Sequence, residues 1–139
     1  MERAVIVAAK RTAIGSFGGA FTGVSTVQLG TTAAKAVIQE SSISPEEFDE
    51  VIVGCVLSAG LGQNVARQIS IQSGIPKEIP AYSINRVCGS GLQAVANAAM
   101  MIQSGNANAV LAGGAENMTQ APYVLPQGRY GSRMGHVQF

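Results

Sequence analysis

The feature that most constrains this chain is a helix-like segment that is apolar on nearly every side. Between Gly89 and Ser104, residues Leu92, Val95, Ala96, Ala98, Ala99, Met100, Met101 and Ile102 spread around most of a helical circumference. No Asp, Glu, Lys or Arg occurs from Val87 to Ala115. A helix of that kind is covered on almost all sides. One sheet covers one side only. The pattern therefore predicts a helix layer held between two sheets, with the second sheet outside this sequence.

The flanking segments supply the first sheet. Arg3 to Ala9 reads as a buried strand, because Ala4 through Ala9 are all apolar. Lys10 to Val24 is a glycine-rich loop. Ser25 with Gln28 three residues on forms a capping-box signature, and the helix after it places Ala33, Ala34, Val37 and Ile38 on one face. Ser44-Pro45-Glu46-Glu47 is a second start signal, with proline at the first helical position. Glu50 to Leu57 reads as a strand. Asn64 is placed to cap a helix carrying Val65, Ile69 and Ile71, and Gly74 suits its C-terminal end. A strand over 81–87, the apolar helix and a strand over 108–113 complete the series. The order β-α-β-α-β-α-β predicts an α/β layered fold with one mainly parallel sheet. Beyond Gly114 the periodicity fades among Pro122, Pro126, Gly128, Gly131 and Gly135.

Charge excludes some functions. Nine basic and eight acidic residues are scattered singly for a net charge of +1, so no basic face points to nucleic acid or an anionic membrane. The apolar stretch around Met100 is interrupted by Gln93, Asn97 and Gln103, which argues against a membrane span. The opening residues lack the layout of a signal peptide, and two isolated cysteines form neither a disulfide framework nor a CxxC pair. Both features suit a reducing, cytoplasmic setting. One histidine and two separated cysteines do not make a metal-ligand set.

Cys88 is the candidate for chemistry. It stands where the strand-like run Ala81–Val87 meets the helix that begins Gly89-Ser90-Gly91. A thiol at a helix start lies beside unpaired amide N–H groups and the positive end of the macrodipole, and both favour the nucleophilic thiolate. Gly89 and Gly91 let a ligand or a second backbone come close. Cysteine is also a common small buried hydrophobe, so position alone leaves both readings open. Cys55, in the middle of Val51–Leu57, reads as core. Two competing readings remain. Gly89-Ser90-Gly91-Leu92-Gln93-Ala94 matches the G-x-G-x-x-A dinucleotide fingerprint, although Glu116 follows Gly113 and Gly114 rather than ending the strand, and the fingerprint falls on the third rather than the first βα turn. His136 is the single histidine available to a Cys–His pair, and it lies in an irregular tail.

Asn85-Arg86-Val87-Cys88-Gly89-Ser90-Gly91-Leu92-Gln93-Ala94 resembles the acyl-enzyme motif of the thiolases. Val5 to Gly15 resembles that family's opening, and Gly54-Cys55-Val56-Leu57 with Gly60 to Gln68 resembles its second-strand segment. Ala112 to Thr119 resembles its fourth-strand loop, and Met134-Gly135-His136 the start of its loop domain. The wording of Gly60 to Gln68 is nearest to the biosynthetic branch, the acetyl-CoA acetyltransferases.

The resemblance implies a five-layer α-β-α-β-α fold made of two similar halves, of which this chain carries the first. It implies residues 1–118 as the N-terminal half-domain and 119–139 as the start of a truncated loop domain. It implies Cys88 as the nucleophile acylated by acyl-CoA in a ping-pong Claisen condensation or thiolysis. The substrate is then a coenzyme A thioester and no cofactor is needed. The family's activating histidine and its second, proton-moving cysteine belong to C-terminal motifs absent from these 139 residues, and His136 sits in a different motif. The chain is therefore expected to be inactive alone and to partner either a second copy or a separate C-terminal half. The alternatives are a non-catalytic dimerising remnant and a dinucleotide-binding domain using Gly89–Ala94.

Overall fold

The computed structural model describes residues 3–126 and 128–131. Its elements in chain order are α1 (Thr26–Ser41), β1 (Glu50–Gly54), α2 (Val65–Ser73), β2 (Ala81–Ile84), α3 (Ser90–Gln103) and β3 (Val110–Gly114). Single 3-10 turns occupy Pro45–Glu47, Met118–Gln120 and Gly128–Tyr130. The three strands form one parallel sheet in the order β2-β1-β3.

The sheet has helices on both faces. Val51, Val53 and Cys55 point to the side covered by Val27 and Ala34 of α1 and Val65, Ala66 and Ile69 of α2. Ile52 points the other way, onto Ala94 and Ala98 of α3. Side chains alternate across a strand, so a central strand of a covered parallel sheet is apolar at every position. β1 meets that demand from Val51 onward, after the half-buried Glu50, with Val51 and Ile52 fully buried. Burying one such side chain contributes about 1.5–3 kcal/mol.

Local signals set the helix ends. The Ser25 hydroxyl accepts the Gln28 N–H at 3.1 Å, and Gln28 Oε1 accepts the Ser25 N–H at 2.8 Å. Asn64 Oδ1 accepts the Arg67 N–H at 3.1 Å. Gly74 closes α2 at φ 97°, in the left-handed region where glycine carries no side-chain penalty.

Asp49 ties the starts of β1 and β3 together. Its Oδ2 accepts the N–H groups of Asn108 at 2.6 Å and Ala109 at 3.2 Å. These two backbone donors hold its carboxyl below the usual value. A depressed carboxylate stabilises the fold above its unfolded value near pH 4, and that contribution fades as pH falls through the lower folded value. Asp49→Asn is expected to cost about 1 kcal/mol at pH 7, an exposed site keeping only part of a charged hydrogen bond's worth. The cost should shrink towards pH 3. Urea midpoints of both chains at pH 7 and pH 3 would check this, and a pH-independent difference would count against it.

One expectation needs correction. Arg3 to Ala9 is not a buried strand. It is paired with no strand among the described residues, and Val5, Ile6 and Val7 are exposed. Strand stability comes from backbone partners, and β3 bonds only to β1 here. Next to that unpaired edge, α1 and β3 leave a cavity of about 100 Å³, lined by Lys10, Ala33, Val37, Leu111 and Gly113 among others. The helix α3 is covered on one face only, as expected of a chain that carries a single sheet. Ala94 and Ala98 are buried, whereas Leu92, Val95 and Met100 are exposed. The single sheet covers the side facing it and nothing among the described residues covers the other.

Candidate active site

Three glycines bring the start of α3 onto the C-terminal end of the sheet. A Cβ on Gly54 would lie 2.3 Å from the Ser90 carbonyl carbon and 2.5 Å from the Gly91 nitrogen. A Cβ on Gly114 would lie 3.0 Å from the Gly91 Cα. The ends of β1 and β3 therefore touch the first turn of α3 backbone to backbone. Gly91 thus lies against a second backbone, one of the two uses expected of it.

That contact fixes the loop between β2 and α3, which holds Cys88. The thiol is exposed, unlike buried Cys55. Val87 immediately before it has φ 51°. The left-handed region is a true outlier for a β-branched residue, and such a conformation costs about 1–3 kcal/mol unless its surroundings enforce it. The Gly89 N–H donates to the Arg86 carbonyl at 3.1 Å and the Ser90 N–H to the Val87 carbonyl at 3.1 Å, closing a tight turn around Cys88. The Cys88 N–H has no acceptor among the described residues. The Arg86 guanidinium donates to Gln93 Oε1, and Gln93 Nε2 donates to Asn97 Oδ1 at 2.7 Å along a half-buried side of α3.

Glu116 lies behind this turn. Its carboxylate accepts the Val56 N–H at 2.8 Å and the Leu57 N–H at 3.1 Å, and the Cys55 sulfur stands 3.6 Å from Oε1. Burial first, then the Glu116 charge, push the Cys55 thiol up to about 11. Cys55 is thus a core residue, as expected, although it follows the last residue of β1 instead of lying mid-strand. The acid that a dinucleotide site would use for a ribose is here committed to backbone amides. Asn117 holds the glycine-rich loop in place, donating to the carbonyls of Phe21 at 2.9 Å and Val24 at 2.7 Å.

Of the candidates read from sequence, the structure places Cys88 at the start of α3 and Cys55 in the core. His136 lies outside the described residues. The segment Gly60–Gln68 proves structural at its end: Gln68 Nε2 donates to the carbonyls of Leu61 and Gln63, and Arg67 to those of Lys77 and Ile79. Sequence reasoning missed Asn85, Ser90 and Glu116 as supports of the turn. Asn85 carried a usable signal, since Asn commonly bonds the backbone two residues on. Glu116 did not, because its partners lie 59–60 residues away.

A model of the thiolase N-terminal domain matches residues 4–139. The chain belongs to the thiolase family. It is 54% identical over 130 residues to an acetyl-CoA acetyltransferase of Syntrophomonas wolfei, covering 94% of this chain and 33% of that protein. The crystal structure of a Bacillus anthracis acetyl-CoA acetyltransferase matches with a TM-score of 0.94 at 40% identity, over 99% of this chain and 35% of that one. A thiolase from Ascaris suum in complex with coenzyme A matches with a TM-score of 0.93 at 44% identity, over 99% of this chain and 35% of that one. This thiolase-family chain thus spans about a third of the length of the relatives it matches. The layered α/β fold expected from the alternating elements is the fold of these structures.

Proposed function

We propose that this chain is the nucleophile-bearing N-terminal part of an acetyl-CoA C-acetyltransferase. The observation that carries the reading is Cys88, an exposed thiol at the start of α3 within the matched thiolase domain. Residues 1–118 then form the half-domain, and 119–139 begin a loop domain.

In this reading the Cys88 thiolate attacks the carbonyl carbon of acetyl-CoA. The C–S bond to coenzyme A breaks, the departing thiolate takes a proton, and an acetyl thioester remains on Cys88. The Cys88 N–H, which has no acceptor among the described residues, is available to the oxygen that gains charge. A carbanion from a second acetyl-CoA then attacks the acyl-cysteine. Acetoacetyl-CoA forms and the Cys88 thiolate is released. Thiolysis is the reverse. The base and the acid for these steps come from outside this chain, as does most of the coenzyme A contact. No cofactor is required. The setting is cytoplasmic, and the partner is a second copy or a C-terminal half that covers Leu92, Val95 and Met100.

The test is complementation. The purified chain is expected to cleave no acetoacetyl-CoA. Mixing it with the C-terminal two-thirds of a relative should produce cleavage that Cys88→Ala lowers by at least about a thousandfold. Acetyl-CoA should leave an acetyl adduct on the Cys88 peptide. Activity of the chain alone, at proven purity, or activity indifferent to Cys88→Ala would sink the proposal. A complex without activity would favour the non-catalytic dimerising reading.

A further inference from the structure

The turn that presents Cys88 is strained at a residue that packing does not hold. Val87 stands at φ 51° and is 66% exposed. Hydrogen bonds grip its peptide at both ends instead. Asn85 Oδ1 accepts the Val87 N–H at 2.9 Å. The hydroxyl of Ser90, itself buried, donates to the Val87 carbonyl at 2.6 Å and accepts the Arg86 N–H at 2.8 Å. Asn85 is steadied from behind, where its Nδ2 faces the Val56 carbonyl at 3.5 Å and Glu116 holds the Val56 and Leu57 amides. We propose that Asn85 and Ser90 are positioning residues that clamp Val87 in its left-handed conformation and thereby set where the Cys88 thiol stands. The proposal rests on the reading of Cys88 as the nucleophile.

Neither residue has to touch the acyl group. With the clamp released, Val87 relaxes to an ordinary conformation and the following thiol swings away from the helix start. Glycine adopts positive φ as readily as negative. Val87→Gly therefore removes the need for the clamp, and this separates a positioning role from a general loss of structure.

The experiment measures alkylation of Cys88 by iodoacetamide in the folded chain, read by peptide mapping, with Cys55 in the same digest reporting unfolding. Asn85→Leu and Ser90→Ala are each expected to slow Cys88 by about threefold or more, and adding Val87→Gly should bring the rate back to within about twofold of the unsubstituted chain. Val87→Gly alone should change little. Asn85→Asp, which keeps the acceptor for the Val87 N–H, should retain most of the rate. Unchanged rates in Asn85→Leu and Ser90→Ala would overturn the clamp. So would slowed rates that Val87→Gly fails to restore. If a single substitution unfolds the chain, Cys55 labels as fast as Cys88. Recovery of Cys55 protection on adding Val87→Gly then supports the clamp, and lack of recovery overturns it. Equal labelling of both cysteines in the unsubstituted chain strikes at the nucleophile reading itself, and it needs no substitution to be seen.

Discussion

Replacing Gly54 by alanine is expected to destabilise the fold by about 3 kcal/mol or more, the upper range of overpacking in a closed core. The new methyl would sit 2.3 Å from the Ser90 carbonyl carbon, 2.5 Å from the Gly91 nitrogen and 2.6 Å from the Ser90 oxygen. All three are backbone atoms, so no side chain can rotate away. Relief requires α3 to lift from the end of the sheet, which would also uncover Ile52 and unseat the Cys88 turn. Gly30 makes the contrast. A methyl there would lie equally near Ile69, at 2.3 Å from Cδ1, with Ile69 Cγ1 at 3.0 Å and the Ala115 Cβ at 3.2 Å, but these are side-chain atoms and the nearest is the end of a flexible side chain. Gly30→Ala should therefore cost much less. Gly113, with nothing within 4 Å of its added Cβ, is the control and should shift stability by no more than about 0.5 kcal/mol. Urea midpoints of the three variants at unchanged slope would rank them. A Gly54→Ala chain within 1 kcal/mol of the unsubstituted chain would mean that the close approach of α3 to β1 is wrong.

Gly54 also shows which parts of this molecule were legible in the sequence. Helix limits were, because their signals are local. Ser25 with Gln28, Asn64 and Gly74 each act within four residues of their own position, and each sits where its chemistry demands. Strand ends were not. The run from Glu50 continues apolar to Leu57, but the strand stops at Gly54 because Glu116 takes the Val56 and Leu57 amides. The run from Ala81 stops at Ile84, before the turn that Asn85 and Ser90 hold. Arg3–Ala9 has the composition of a buried strand and lacks a partner among the described residues, a matter that periodicity within one segment does not reach. The position of Cys88 was legible because a strand, a cysteine and a glycine-rich helix start adjoin in sequence. The grip on Val87 was not, since a left-handed valine is the last residue that propensity would place there.

At pH 7.5 iodoacetamide is expected to label Cys88 about a hundredfold faster than Cys55. The helix-start argument alone supports only a several-fold preference, since a dipole contributes about 0.3–1 kcal/mol at an exposed helix end. The larger figure comes from Cys55. Its thiol is buried and pushed up to about 11 from an ordinary 9.0. Two units leave about one hundredth of the reactive thiolate that an ordinary cysteine would have, before any obstruction of the reagent is counted. Cys55 labelling should then rise about tenfold per pH unit towards pH 11. Glu116→Gln removes the charge that ranks second to burial, so it should speed Cys55 by a few-fold while burial keeps most of the protection. The same shift links to stability. A thiol whose folded value is raised stays protonated in the fold while the unfolded chain ionises, so stability present below pH 9 is lost as pH rises to 11. Cys55→Ala should flatten that alkaline loss. Peptide mapping after brief alkylation decides the main point. Faster labelling of Cys55 would mean that β1 is not buried between its two helix layers, and equal labelling would mean that the thiol at the start of α3 is not the exposed group on which the acyl-transfer reading depends.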